Sequence, residues 1–182
     1  NGEIIVRENF KLATIIKPSL VYGPSDQSTN FFYRLMNLLP VFFPIYYGGK
    51  TKFFPLFIGD LVEIIYQIIV QNIDTKTIEC IGPQEMSFKE ILERLLKLIN
   101  KKKIFLSVPI PIAKIIAAIL QIMPKPLLTL DALNLLKTGS VPSGKYPTNN
   151  NLNLSAIANF ENEVSKYSFL YADRGEYSKK KI

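Results

Sequence analysis

Between Thr77 and Ile99 the sequence changes its period, and that change limits what the chain can fold into. Thr77-Ile78-Glu79-Cys80-Ile81 is short, apolar and rich in β-branched residues, the composition of a buried strand. Gly82-Pro83 ends it with a turn. Ser87-x-x-Glu90 then has the spacing of a capping box, and Ile91, Leu92, Leu95, Leu96 and Ile99 recur at helical intervals. A strand that feeds a capped amphipathic helix through a short turn is the unit of α/β architecture.

The rest of the chain repeats the alternation. Leu12 to Ile16 reads as a strand apolar on both faces, as in the middle of a covered parallel sheet, ended by Pro18. Gly23-Pro24 marks the following turn. Phe31 to Leu39 is a predicted helix halted by Pro40, followed by an aromatic run, Phe42 to Tyr47, and a Gly48-Gly49 turn. Lys52 to Ile58 is a second predicted strand, which Pro55 confines to an edge or an irregular position. Asp60 opens a predicted helix, with Glu63 at capping-box spacing and Leu61, Ile64, Ile65, Ile68 and Ile69 on one apolar stripe. Ile104 to Val108 is a short predicted strand. Ile112 to Met123, started by Pro111, is a predicted helix apolar almost all round, with Lys114 and Gln121 on one narrow polar face. Two destinations are open for its apolar surface: the interior of the domain, or a membrane surface or partner subunit approached with the help of nearby lysines. Thr129 is placed to cap a helix over Leu130 to Lys137 that Gly139 ends. Pro142 to Asn153 reads as a polar loop or flexible link, and a last helix covers Phe160 to Tyr171 before a basic tail.

Composition narrows the chemistry. A chain of 182 residues, 48% of them hydrophobic and 20% charged, can bury a substantial core. With no histidine and one cysteine, the usual zinc ligand sets, Ser-His-Asp and Cys-His catalysis, and an internal disulfide are excluded. Cys80 sits in an apolar strand and reads as structural, in a reducing compartment. The formal net charge of +7 invites a polyanion. The lysines gather in two knots, residues 101–103 and 179–181, which a solvated turn and a frayed tail explain. No nucleic-acid recognition motif is present, so no nucleic-acid partner is expected. The sequence begins on Asn1 rather than Met and shows no secretory signal, which reads as a processed or truncated chain. No apolar run reaches the roughly 18–20 residues of a spanning helix.

Three segments in fixed order carry a family resemblance. They are Ala13-Thr14-Ile15-Ile16-Lys17-Pro18-Ser19-Leu20-Val21-Tyr22-Gly23-Pro24, then Phe54-Pro55-Leu56-Phe57-Ile58-Gly59-Asp60-Leu61-Val62, then Ile81-Gly82-Pro83 ahead of the capped helix. They are similar to the R-P-x-x-V-Y-G-P, V-x-V-x-D-V-A and x-G-P-x-x-x-T/S segments of extended or atypical short-chain dehydrogenases/reductases, the NAD-dependent epimerase/dehydratase family. Asn30-Phe31-Phe32, Leu39-Pro40, Gly48-Gly49-Lys50-Thr51-Lys52-Phe53 and a Pro124-x-Pro126-Leu127-Leu128-Thr129-x-Asp131 step resemble the branch containing the 39 kDa accessory subunit of respiratory complex I. The resemblance covers residues 1–140 well and the tail more loosely. Lys17 stands where the family has Arg, which keeps the charge and loses the planar fork.

The resemblance implies an α/β fold, the C-terminal portion of a Rossmann-type extended short-chain dehydrogenase/reductase: the last parallel strands plus the smaller substrate-side subdomain, with the N-terminal nucleotide-binding half missing. Residues 1–75 would be the end of the sheet with a substrate-side cover, 76–140 a C-terminal α/β subdomain, and 141–182 the polar loop, terminal helix and basic tail. It sets Lys17, Pro18, Ser19, Leu20 and Val21 on a strand end beside the nicotinamide of NAD(P). Read without it, that segment is a strand end and a turn. No glycine loop of phosphate-binding spacing occurs, so this chain alone is not expected to hold NAD(P) tightly. The family's Tyr-x-x-x-Lys pair is implied upstream of Asn1. Tyr46 and Lys50 have that spacing with Gly48-Gly49 between them, and Tyr177 and Lys181 have it in a terminal segment, so no catalytic residue is assigned. The first functional reading is a truncated, non-catalytic NAD(P)-binding protein of the complex I accessory type, serving stability or assembly. Its partners would be the missing half, complex I subunits, or a membrane surface at residues 112–123, in the cytoplasm or peripheral at a respiratory inner membrane. The alternative is a fragment of an active nucleotide-sugar epimerase, dehydratase or reductase.

Overall fold

A computed structural model describes residues 2–24, 26, 29–122, 128–172 and 175. The first half of the chain runs α1 (Gly2–Asn9), β1 (Ile15–Pro18), β2 (Val21–Tyr22), α2 (Thr29–Leu38), β3 (Phe42–Ile45), β4 (Lys52–Phe53), β5 (Leu56–Phe57) and α3 (Ile58–Val70). The second half runs β6 (Thr77–Cys80), β7 (Met86–Ser87), α4 (Phe88–Leu98), β8 (Ile104–Ser107), α5 (Ile110–Leu120), α6 (Leu130–Thr138) and α7 (Phe160–Ser168). Short 3-10 turns follow β3 and α7 and lie at Asn150–Leu152. The strands pair two by two: β1 with β6, β2 with β5 and β3 with β8 in parallel, β4 with β7 antiparallel. Parallel pairs joined through helices make this an α/β fold.

The capping box forms as its spacing requires. Ser87 accepts from the Glu90 amide at 3.2 Å, and Glu90 accepts from the Ser87 amide at 2.6 Å. α4 then turns Ile91, Leu92 and Leu95 wholly into the main core, where each contributes about 1.5–3 kcal/mol by leaving water. That core also takes Tyr22, Tyr33, Phe43, Phe53 and the inner face of α7. A second core lies under α3, where Leu61, Ile64 and Ile68 meet Ile78, Cys80 and Leu154.

Several expectations need correction. The strand predicted at residues 12–16 starts three residues later and runs Ile15–Pro18, and Leu12 is 90% exposed. The reason is α1, which no hydrophobic pattern announced: Arg7 donates to the Lys76 carbonyl at 2.9 Å and to Thr77, and a turn at residues 11–12 must follow the helix before the strand can begin. Pro18 is tolerated inside β1 because the amides of Ile15 and Ser19 face β6, and alternation points the donorless Pro18 nitrogen away.

Lys52 to Ile58 is not one strand. Pro55 divides it into β4 and β5, which pair with different partners, and Ile58 already belongs to α3. Asp60 is therefore inside the helix rather than at its cap; its carboxylate accepts from the amides of Ile157 and Ala158 at 3.0 and 2.9 Å. Ile69, expected on the buried stripe, is 71% exposed. The aromatic run is partly a strand, β3. Residues 142–153 are not a loose link: Asn149 is wholly buried, its Oδ1 accepting from the Ile81 amide and its Nδ2 donating to the Leu154 carbonyl. The apolar helix ends at Leu120, with Met123 outside the described residues, and it buries only Ala113 and Ala117. Ile112, Ile115, Ile116 and Ile119 face outward, so the interior is not the destination of that surface.

Candidate functional site

The site starts where β1 ends. Lys17 leans back toward α1, its Nζ 2.9 Å from the Glu3 carboxylate and 5.0 Å from the centre of the Tyr146 ring. The hydrogen bond to Glu3 raises its pKa above the usual lysine value. Pro18 is exposed. Ser19 is buried, and its amide and hydroxyl are both engaged: the amide donates to the Cys80 carbonyl at 2.8 Å, while Oγ donates to the Ser140 carbonyl at 2.8 Å and accepts from the Phe54 amide at 3.2 Å. The Leu20 carbonyl accepts from the Leu56 amide, and Val21 pairs with Leu56.

These five residues do not share one cavity. Lys17, Pro18 and Ser19 line a small one of about 90 Å³ together with Glu79, Ile81, Ser140, Val141 and Pro142. Leu20 instead reaches a larger cavity of about 220 Å³, whose walls are the aromatic side chains of α2, β3 and β4, Phe88, and residues of α6. Val21 lines neither. Sequence reasoning missed Glu79, Ile81, Ser140, Val141 and Pro142 as lining residues. Glu79 had a signal, a carboxylate in the middle of an apolar strand; it is held by the Ser143 amide at 2.8 Å. Ser140 had none, because its carbonyl acts through the backbone.

The fit of a dinucleotide can be tested on these atoms. A pyrophosphate needs spare amide donors or a helix N-terminus. Ser19 has none to spare, Lys17 is held by Glu3, and a 90 Å³ cavity takes about three water-sized groups at ~30 Å³ each. Residues 17–21 therefore do not form a phosphate clamp. Tyr46 and Lys50 make no catalytic pair: a 3-10 turn at Tyr47–Gly49, with Gly48 at φ 63°, separates them. Tyr177 and Lys181 lie outside the described residues. Among the described residues no cluster of His, Cys, Asp or Glu could hold a metal. Burial pushes the Cys80 thiol up to about 11, against reactivity.

No family model matches the chain. It is 29% identical over 142 residues to the NADH dehydrogenase [ubiquinone] 1 alpha subcomplex subunit 9, mitochondrial, of Arabidopsis thaliana, covering 72% of this chain and 35% of that protein. It is 28% identical over 121 residues to the NADH-ubiquinone oxidoreductase 40 kDa subunit, mitochondrial, of Neurospora crassa, covering 66% and 31%. The chain is similar to both of these mitochondrial subunits, at just under 30% identity. It thus spans about a third of the length of these curated relatives. Among solved structures it resembles UDP-glucuronic acid 4-epimerase from Bacillus cereus, with a TM-score of 0.59, 15% identity, and coverage of 91% of this chain and 48% of that one. dTDP-glucose 4,6-dehydratase from Bacillus anthracis gives 0.58, 14%, 96% and 49%. Both were solved with NAD, and at such identities they show the fold alone: a Rossmann-type α/β fold that matches about half of each of those chains.

Proposed function

We propose that this chain is the substrate-side portion of a non-catalytic accessory protein of the complex I 39 kDa type, contributing to the stability or assembly of the respiratory complex. The observation that carries the reading is the apolar surface the fold leaves open. α1 buries no residue and exposes Ile4, Ile5 and Val6, and Phe10 and Leu12 continue that surface. α3 buries Leu61, Ile64 and Ile68 on one side and exposes Val62, Tyr66, Ile69 and Val70 on another. A helix apolar on opposite sides belongs between two layers. The nucleotide-binding half implied by the family would be the second layer and would bring the phosphate clamp that residues 17–21 lack. In this reading Lys17, Pro18, Ser19, Leu20 and Val21 are a wall beside NAD(P) held by that half. On the same reading, residues 1–75 are the end of the sheet and its cover, 76–140 the C-terminal subdomain, and 141–182 the polar loop, terminal helix and basic tail.

The larger cavity favours the accessory role over sugar-nucleotide chemistry. A sugar diphosphate demands many hydrogen-bonding partners, whereas Tyr46 and Thr129 are the only polar residues in that lining. Both curated relatives are named as subunits of the NADH–ubiquinone enzyme and as mitochondrial. Among the described residues no helix is long and apolar enough to cross a membrane. We place the protein at the periphery of a respiratory inner membrane, with α5 facing lipid or a partner subunit. The test is native electrophoresis of detergent-solubilised respiratory membranes from cells carrying a tagged full-length gene. The tag should migrate with NADH dehydrogenase activity. A tag confined to low-mass fractions, or turnover of UDP-sugars by the full-length protein, overturns the reading.

A further inference from the structure

The larger cavity has a floor and a mouth of different character. Phe43, Phe53 and Phe88 are 1%, 2% and 4% exposed and form its floor, whereas Leu135 on α6 is 49% exposed and stands at its mouth. A passage of this kind leads from the surface into the main core. Its volume of about 220 Å³ exceeds the roughly 150 Å³ at which an apolar protein cavity stays dry and takes up a benzene-sized molecule. At ~30 Å³ per water-sized group it has room for roughly seven or eight carbons of a chain.

Two hydroxyls reach this lining. The Thr129 Oγ is used, accepting from the Ala132 amide at 3.1 Å as the cap of α6. The Tyr46 hydroxyl makes no hydrogen bond to any described residue, and burial alone raises its pKa. Tyr46 also packs against the small core of Ala113, Ala117 and Leu133, where α5 meets α6. The outer face of that same α5 is the exposed row of isoleucines. An apolar tube with one free hydrogen-bond donor, next to a helix that presents aliphatic side chains to its surroundings, matches an amphiphile better than a polar metabolite.

We propose that this cavity binds the alkyl chain of a single-tailed amphiphile, with the Tyr46 hydroxyl donating to an oxygen of its head group. The terminal carbons pack against Phe43, Phe53 and Phe88, and the head stays near Leu135. The flexible chain follows the passage, and burial of its methylenes drives binding. This inference goes beyond the accessory role and stands whether or not the longer protein carries a nucleotide. The same chemistry is offered by a free fatty acid and by a fatty alcohol, which differ in charge, and the charge of this chain makes that difference informative.

The test is calorimetric titration of the full 182-residue chain with decanoate and with decanol, each below its micelle or solubility limit. The variants Ala132→Phe, Leu135→Asp and Tyr46→Phe are run beside it, after circular dichroism and urea melts confirm folding. The wild type should bind both ligands saturably at one site. Ala132→Phe puts a ring into the passage from α6 and should weaken binding of both at least about tenfold. Leu135→Asp, at a half-exposed position that tolerates charge, should do the same should Ala132→Phe not fold. Tyr46→Phe should weaken binding about fivefold, the effect of one hydrogen bond. No saturable binding by the wild type overturns the proposal, as does binding that both mouth variants leave unchanged. Binding of decanoate without decanol overturns it too, since that would report the protein's positive charge and not the cavity. An unaltered affinity in Tyr46→Phe removes the role of its hydroxyl.

Discussion

Replacing Asn149 with alanine would remove a clamp on which the C-terminal quarter of the chain depends. The side chain is wholly buried and bridges two backbone groups, the Ile81 amide at 2.8 Å and the Leu154 carbonyl at 2.9 Å. Its third contact, to the Asn150 side chain at 3.4 Å, is too long to matter much. Ile81 and Leu154 are themselves 8% and 6% exposed, so water reaches the freed groups poorly. A buried donor or acceptor left unpaired costs about 1–3 kcal/mol, and two of them give an expected loss of about 2–6 kcal/mol for Asn149→Ala. At about 2–4 °C per kcal/mol for a chain of this size, the midpoint should fall by roughly 4–24 °C. Urea unfolding measures it directly: the midpoint shifts while the m-value stays constant. The neighbouring Asn151→Ala, whose exposed side chain bonds only to Thr148, is the control and should cost less than about 1 kcal/mol. A loss as small in Asn149→Ala, at unchanged m-value, would refute the view that residues 142–153 are anchored to β6.

Gly82→Ala should be among the most damaging single changes: its Cβ would lie 1.7 Å from the Pro55 carbonyl oxygen, so the turn after β6 must separate from β5, at about 3 kcal/mol or more, read as lost soluble yield or a collapsed urea midpoint. Cys80 gives a pH dependence. Its folded value of about 11 lies above the unfolded thiol's, so its contribution is complete below about pH 8.5 and is lost as the pH rises toward 11. That loss is on the order of 3 kcal/mol; wild-type stability should therefore fall more steeply over this range than that of Cys80→Ala in urea melts under reducing conditions, and equal slopes would refute it. Ile116 and Ile119 are 38% and 63% exposed, so a double substitution to glutamate should leave folding intact while abolishing co-sedimentation with anionic vesicles. Negligible pelleting of the wild type would leave a protein partner as the occupant of α5.

What was legible in the sequence was what is decided locally. The capping box of α4 lies within four residues, and its apolar face follows from spacing alone, so both formed as read. β1 was misplaced because hydrophobicity says that Leu12 could be buried, not that anything covers it, and α1 instead leaves it in the open. The same limit applies to α5. Its composition announced a surface to be covered, but only the fold reveals that α6 reaches no further than Ala113 and Ala117. At the strand end, the partners of Ser19 and Glu79 arrive from Ser140 and Ser143, which are 121 and 64 residues away, and no spacing rule links them. The family resemblance located the segment 17–21 but carried no information on its splitting between two cavities.

The parallel pairing has a consequence for how the protein is made. In both longer pairs the partner lies equally far along the chain, Ile15 opposite Thr77 and Phe42 opposite Ile104. No described strand pair is a tight hairpin that could close as soon as it is synthesised. At 5–20 residues per second, β1 and β3 each wait about 3–12 s on the ribosome before their partners exist. Through that interval β1 and β3 lack their strand partners. A chaperone that shields residues 15–76 until β6 emerges would therefore raise the yield of this protein.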